Sequence, residues 1–145
     1  MKIAVASDHA GYKLKEIIKN YLKRKRIDFK DFGTHSEESV DYPDYARPVA
    51  EAVAKGEFDR GILMCGSGVG ATIVANKIKG IRAVNAYDTY TAKQSRQHGD
   101  CNVLALAGRK LTRAKATKIV DVWLKTEFSG EERHLRRIRK IEEIK

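Results

Sequence analysis

Five short apolar runs, near residues 2–7, 27–32, 59–65, 81–86 and 102–107, alternate with segments of helical spacing near 11–25, 44–55, 69–78, 89–97 and 112–126. That alternation is the strongest constraint on the fold. Strands joined through helices pair in parallel, and a parallel sheet needs helices on both of its faces. Gly61, Gly80, Gly99 and Gly108 fall at the junctions, where turn residues belong. Neither a repeat, a low-complexity run nor a linker divides residues 1–145, so one domain is expected. A basic segment near 130–144 closes the chain with an apolar stripe of Leu135, Ile138, Ile141 and Ile144. Its spacing predicts a helix with one buried face, and its terminal position suits packing on a partner subunit in place of its own core.

In open parallel sheets ligands bind outside the carboxyl ends of the strands, near a point where the strand order reverses. This rule selects Ser7-Asp8-His9-Ala10-Gly11, Cys65-Gly66-Ser67, Asn85-Ala86-Tyr87-Asp88 and Gly108-Arg109. The second group stands out. Ile62-Leu63-Met64-Cys65 ends in Gly66-Ser67-Gly68-Val69-Gly70, with glycines at alternate positions and a helix predicted from Val69. Such a loop offers unpaired N–H groups at the positive end of a helix, a setting for a phosphate or an oxyanion. A thiol beside that partial charge is favoured as thiolate, and so as base or nucleophile. Cys101 has no comparable context. With no metal-type spacing and no CxxC, the two cysteines are expected as free thiols in a reducing compartment.

Several other chemistries are excluded or weakened. The loop lacks the Lys and Ser/Thr of a P-loop and the Gly-x-Gly-x-x-Gly spacing of a dinucleotide fingerprint, although Asp88 lies at a plausible distance for a ribose contact. A cysteine phosphatase would need arginine at position 71, which is Ala71. No two histidines share metal-ligand spacing, so no metal is expected. His9 and His98, at predicted element ends, suit proton transfer or a structural hydrogen bond equally, whereas His35 lies in a polar loop. Arg133, His134 and Arg137 share a helix face and could clamp a phosphate or simply be solvated.

The formal net charge of +10 admits a nucleic-acid partner, a small phosphorylated ligand or a solvated surface. Eight basic and two acidic residues between Lys13 and Lys30 lie mostly on the outer face of an amphipathic helix, with Tyr21 on its inner face and no aromatic residues interleaved with the basic ones in the manner of a base-stacking platform. That pattern favours solvation over nucleic-acid binding. No apolar stretch approaches a membrane span, and Met1-Lys2 leads directly into a strand-like segment, so a cytoplasmic location is the expectation.

Together these motifs resemble the type B ribose-5-phosphate isomerases, in the group that includes the allose-6-phosphate and galactose-6-phosphate isomerases. The resemblance rests on Ser7-Asp8-His9-Ala10-Gly11, Asp41-Tyr42-Pro43, Cys65-Gly66-Ser67-Gly68-Val69-Gly70, Ala75-Asn76-Lys77, Gly80-Ile81-Arg82-Ala83, Ser95-Arg96-Gln97-His98, Asn102-Val103-Leu104 and Arg133-His134-x-x-Arg137. It implies a Rossmann-like three-layer sandwich, a homodimer or dimer of dimers with each site completed by the neighbouring subunit, and no cofactor. It implies Cys65 as base, the N–H groups of the Ser67-to-Gly70 loop, with Gly68 and Val69, as oxyanion cradle, Gly66 and Gly99 as substrate-binding positions, and His98 as the acid that opens the sugar ring. Ser67 and Asp8 would orient hydroxyls, and Asp41 and Tyr42 would line the sugar pocket. His9, Arg109, Arg133, His134 and Arg137 would hold the phosphate. The chain departs from the pattern at Ser67, commonly threonine, and at Gly99, commonly asparagine. The second departure bears on whether five- or six-carbon sugar phosphates are preferred.

Overall fold

A computed structural model describes residues 1–144. Its element order is β1 (Lys2–Ser7), α1 (Tyr12–Arg24), β2 (Asp28–Asp31), α2 (Pro43–Ala54), β3 (Arg60–Cys65), α3 (Val69–Asn76), β4 (Ala83–Asn85), α4 (Thr89–Gly99), β5 (Val103–Ala107), α5 (Arg113–Lys125) and α6 (Glu132–Glu142). The strands form one parallel sheet in the order β2-β1-β3-β5-β4. The alternation expected from the sequence is therefore the architecture.

The strand pleat sorts side chains to opposite faces. Ile3, Val5, Ile62, Met64, Leu104 and Leu106 pack with α1 and α5 around the fully buried Trp123. Ala4, Ala6, Leu63, Cys65, Val103 and Ala105 face α2 and α3. Small residues dominate the second face, so α2 and α3 seat closely on the sheet. Gly61 is part of that fit, because a Cβ there would meet Val49 Cγ1 at 2.8 Å.

Two elements are shorter than expected, for local reasons. β4 begins at Ala83 because the Arg82 N–H is taken by Asn102 Oδ1 at 2.9 Å. α3 ends at Asn76, whose side-chain amide brackets Ala83 through bonds of 3.1 and 2.7 Å. A side-chain amide has here replaced the next rung of backbone pairing.

The closing helix is present as the spacing predicts, and its apolar face lies outside this chain's core. Of α6 only His134 is buried, and Ile141 and Ile144 are 52% and 76% exposed. Its apolar stripe is not buried in this chain's core. It is tied to the body by Arg82, which donates to Glu142 Oε1 at 2.5 Å and to the carbonyls of Gly99 and Asp100 at 2.8 and 2.9 Å. The His134 ring stacks on His98 of α4, with centroids 4.2 Å apart.

β1 carries β2 on one side and β3 on the other, so the order in which strands are laid down reverses between β1 and β3 while all run parallel. The carboxyl ends of these two strands mark the switch point. A buried ion pair braces it. Lys15 of α1 is fully buried, with Nζ 2.6 Å from Asp31 Oδ1 and 2.5 Å from the Thr34 carbonyl. The 33–34 segment in turn pairs with Ser7 on both sides, at 2.7 and 2.8 Å. Burial raises the Asp31 carboxyl, but hydrogen bonds from Lys15, Lys19 and the Gly33 N–H outweigh it and leave the carboxyl below its usual range.

Candidate active site

At the switch point a cleft of about 560 Å³ opens between the carboxyl ends of β1, β3 and β5. Cys65, the last residue of β3, lies at its base and is 4% exposed. Its Sγ accepts the Gly68 N–H at 3.2 Å. Gly68 sits at φ +84, a left-handed conformation natural to glycine, and leads into α3 without a side-chain cap. The first intrahelical bond is Thr72 N–H to the Gly68 carbonyl at 3.1 Å, which leaves the N–H groups of Gly70 and Ala71 without helix acceptors. The Val69 N–H is occupied by Ser67 Oγ at 3.2 Å.

The neighbouring loops close on this one with no room to spare. A Cβ at Gly11 would lie 2.3 Å from the Met64 carbonyl, and one at Gly108 would lie 2.6 Å from that of Ala10. Gly108 N–H bonds the Cys65 carbonyl at 2.7 Å and Arg109 N–H bonds that of Gly66 at 3.1 Å. The Arg109 guanidinium thereby lies over Gly66, where a Cβ would meet Nη1 at 3.2 Å. From β1, the Asp8 carboxylate accepts the Gly11 N–H at 3.0 Å. His9 accepts the Val40 N–H on Nδ1 at 3.1 Å, so in the neutral ring the proton is on Nε2. Tyr42 leans across Gly70, where a Cβ would lie 2.5 Å from its ring.

The structure thus gathers Asp8, His9, Tyr42, Cys65, Gly66, Ser67, Val69, Gly70 and Arg109 around one cleft, with Gly68 on the sulfur itself. It does not bring His98, Gly99, Arg133, His134 or Arg137 to the lining. These cluster where α4 meets α6, with Arg133 exposed and ion-paired to Glu131 at 3.0 Å. Burial, His98 and Arg133 hold His134 below the usual histidine range, and its Nε2 is buried without a hydrogen-bond partner. Gly99 ends α4, where a Cβ would meet Cys101 Sγ at 3.3 Å. Asp41 is exposed just before Tyr42 and does not line the cleft.

Other candidates resolve simply. Asp88 caps α4 through the Thr91 N–H at 2.7 Å, which lowers its carboxyl, so it is occupied as a cap and not displayed for a ribose. Burial raises the Cys101 thiol. His35 is exposed, 3.9 Å from Asp31. No group of three or more His, Cys, Asp or Glu able to hold a metal occurs among the described residues. A second cavity, between α1 and α5, is lined by Arg24, Lys25, Arg113, Lys118 and Lys125, and accounts for part of the positive charge. None of the helices among the described residues is long and apolar enough to cross a membrane.

The strand-end rule selected Asn85 and Tyr87, and Tyr87 lines the cleft, but sequence reasoning gave them no role and missed the way the two hold the glycine loop. The signal was their i, i+2 placement at a strand end, which puts two polar side chains on one face.

A family model for ribose/galactose isomerases matches residues 3–141. The chain belongs to this family. It is 48% identical to ribose-5-phosphate isomerase B of Escherichia coli, over 99% of this chain and 95% of that protein. The ribose-5-phosphate isomerase B of Clostridium thermocellum superposes with a TM-score of 0.97 at 53% identity, covering 99% of this chain and 97% of that one. The Mycoplasma genitalium enzyme, solved with bound ribulose 5-phosphate, gives 0.93 at 45% identity, covering 98% and 94%. By these relationships the protein is an aldose–ketose isomerase of sugar phosphates, of the type B ribose-5-phosphate group.

Proposed function

We propose that this isomerase interconverts ribose 5-phosphate and ribulose 5-phosphate without a metal, through a cis-enediolate, with Cys65 as the base. The observation that carries the reading is the Gly68 N–H on Cys65 Sγ, at the floor of a cleft whose rim holds free N–H groups, His9 and Arg109. A thiolate is stabilised by that donor, and the negative oxygen of an enediolate by the loop N–H groups.

Ring opening comes first, with His98 giving a proton to the ring oxygen as the anomeric hydroxyl loses one. Cys65 then takes the proton from C2, and the electron pair moves into the C1–C2 bond as negative charge passes to O1. A proton moves from O2 to O1, and the Cys65 thiol returns its proton to C1, leaving the carbonyl at C2. Asp8 and Ser67 orient sugar hydroxyls, and Tyr42 borders the sugar. His9 Nε2–H, Arg109, Arg133, His134 and Arg137 neutralise the phosphate.

The two groups of residues lie apart within one chain, so we assign His98, Gly99, Arg133, His134 and Arg137 to the site of the neighbouring copy in a homodimer. The exposed Val69 and Ile73 of α3, and Ile141 and Ile144 at the end of α6, support a dimer as apolar surface needing cover. A dimer of dimers satisfies the same requirement.

The test is conversion of ribose 5-phosphate with chelator present, for wild type, Cys65→Ala, His98→Ala and a refolded equimolar mixture of the two variants. Each variant alone should lose about 10³-fold in kcat. The mixture should recover about a quarter of wild-type activity, because half of the dimers are hybrids with one intact site of two. Turnover by Cys65→Ala removes the thiol as base, and no recovery in the mixture removes the shared site. Faster turnover of allose or galactose 6-phosphate by the wild type would move the assignment to a six-carbon substrate, for which Gly99 leaves space.

A further inference from the structure

The Ser67–Gly68 peptide is held at both ends. Its N–H points at Cys65 Sγ, 3.2 Å away. Its carbonyl accepts two hydrogen bonds from beyond the end of β4, from Tyr87 Oη at 2.5 Å and Asn85 Nδ2 at 3.3 Å. The same Asn85 presses its Oδ1 against Gly68, where a Cβ would lie 2.3 Å from that oxygen. Oδ1 is itself buried and without a partner. An unsatisfied buried oxygen is costly. Its retention indicates that the amide is kept for its other end, the donor on Ser67.

The topology makes this contact unusual. β4 is one of the two edge strands and pairs with β5, so it is separated from β3 by a whole strand. The loop after β3 must cross the end of β5 to meet it. Without the β4 contacts, the left-handed Gly68 would be free to swing its peptide plane, because glycine restricts φ and ψ so little.

We propose that Asn85 and Tyr87 are positioning residues that clamp the Ser67–Gly68 peptide, aiming its N–H at the Cys65 sulfur and polarising it. A carbonyl that accepts two hydrogen bonds draws charge through the amide and makes its N–H the stronger donor. A bond to a thiolate is charge-assisted and gains most from that polarisation. Chemically the clamp is a relay from β4 through one peptide group to the sulfur. Asp8, His9, Tyr42, Arg109 and Lys110 are the other charged or titratable groups bordering the cleft, and they act through space from the turns after β1 and β5 and the start of α2. This role rests on Cys65 as the base of the reaction.

The experiment uses Cys101→Ser as parent, which leaves one thiol. Iodoacetamide alkylation of Cys65 is timed at pH 7 and at pH 10, beside kcat, KM and Tm, for Tyr87→Phe and Asn85→Leu. Alkylation at pH 7 should slow about threefold in each variant and recover at pH 10. The fall in kcat should match, with KM within twofold. Tm should be unchanged in Tyr87→Phe and unchanged or higher in Asn85→Leu, which removes the orphaned oxygen. A merely structural role would lower Tm and leave alkylation of the folded protein untouched. Alkylation equal to the parent in both variants overturns the clamp. So does a rise in KM alone for Tyr87→Phe, which would make Tyr87 a sugar contact. Because alkylation is read without turnover, the clamp can stand even if activity of Cys65→Ala dismisses the thiol as base.

Discussion

The two halves of the proposed site are built in opposite ways. Around Cys65 the frame is backbone, glycine against carbonyl and loop N–H against loop carbonyl, and side chains from neighbouring elements pin it at the Ser67 carbonyl and over Gly66 and Gly70. Around His98 and His134 the contacts are made by long side chains on two helices, one of which keeps only a single residue buried. Backbone packed against backbone keeps its overall course when one side chain changes, leaving single peptide groups to be tuned, whereas a side-chain cluster depends on each member. The first half is preorganised by the fold. The second is a charged surface cluster that the fold alone leaves open.

Variants can break that contrast, beginning with the brace behind the first half. Lys15→Ala leaves the Thr34 carbonyl without its buried donor and Asp31 with only Lys19 and the Gly33 N–H, and should cost about 3 kcal/mol by urea denaturation. A loss below about 1 kcal/mol would show that the switch point needs no brace. Next, Arg137→Ala should raise KM for ribose 5-phosphate about tenfold, roughly 1.4 kcal/mol of phosphate binding, with Tm unchanged. A fall in Tm as large as that of Lys15→Ala would mean that both halves are equally structural.

Acid sharpens the comparison further. The folded Asp31 carboxyl lies below its unfolded value of about 3.9, so its stabilisation is present above that pH and disappears as pH falls through the folded value. The stability difference between wild type and Asp31→Asn, on the order of 1 kcal/mol at pH 7, should therefore close below about pH 4. A difference that persists to pH 2 would assign it to packing. The smallest effect is expected at the second half. Glu142→Gln weakens the partly exposed pair with Arg82 and should cost less than about 1 kcal/mol, while amide exchange in α6 accelerates. Unchanged exchange would place the anchor of α6 in the histidine stack.

Much of this was legible in the chain. Strand and helix alternation leads to a parallel sheet because crossover helices leave no other pairing, and the glycine run after Cys65 marked the loop where backbone donors gather. Asp8, His9 and Arg109 followed from one geometric rule about strand ends. The ends of α3 and β4 did not, because Asn76 and Asn102 bond to backbone outside their own elements. The burial of Lys15 was also hidden: among the basic residues of α1 it reads as one more solvated charge, until α1 settles over Asp31 and Thr34.

The sequence by itself determined the layer order, the face that each strand residue takes and the position of the thiol, since these follow from periodicity and from where glycine permits a turn. Only the tertiary structure decided that Asn85 and Tyr87 reach across β5 to hold Ser67, and that Arg133 and Arg137 stand away from Cys65. Contacts of that kind depend on the order of strands in space and on the direction of a terminal helix. Periodicity along a chain records which face a residue occupies, and carries no information about which distant element stands opposite it.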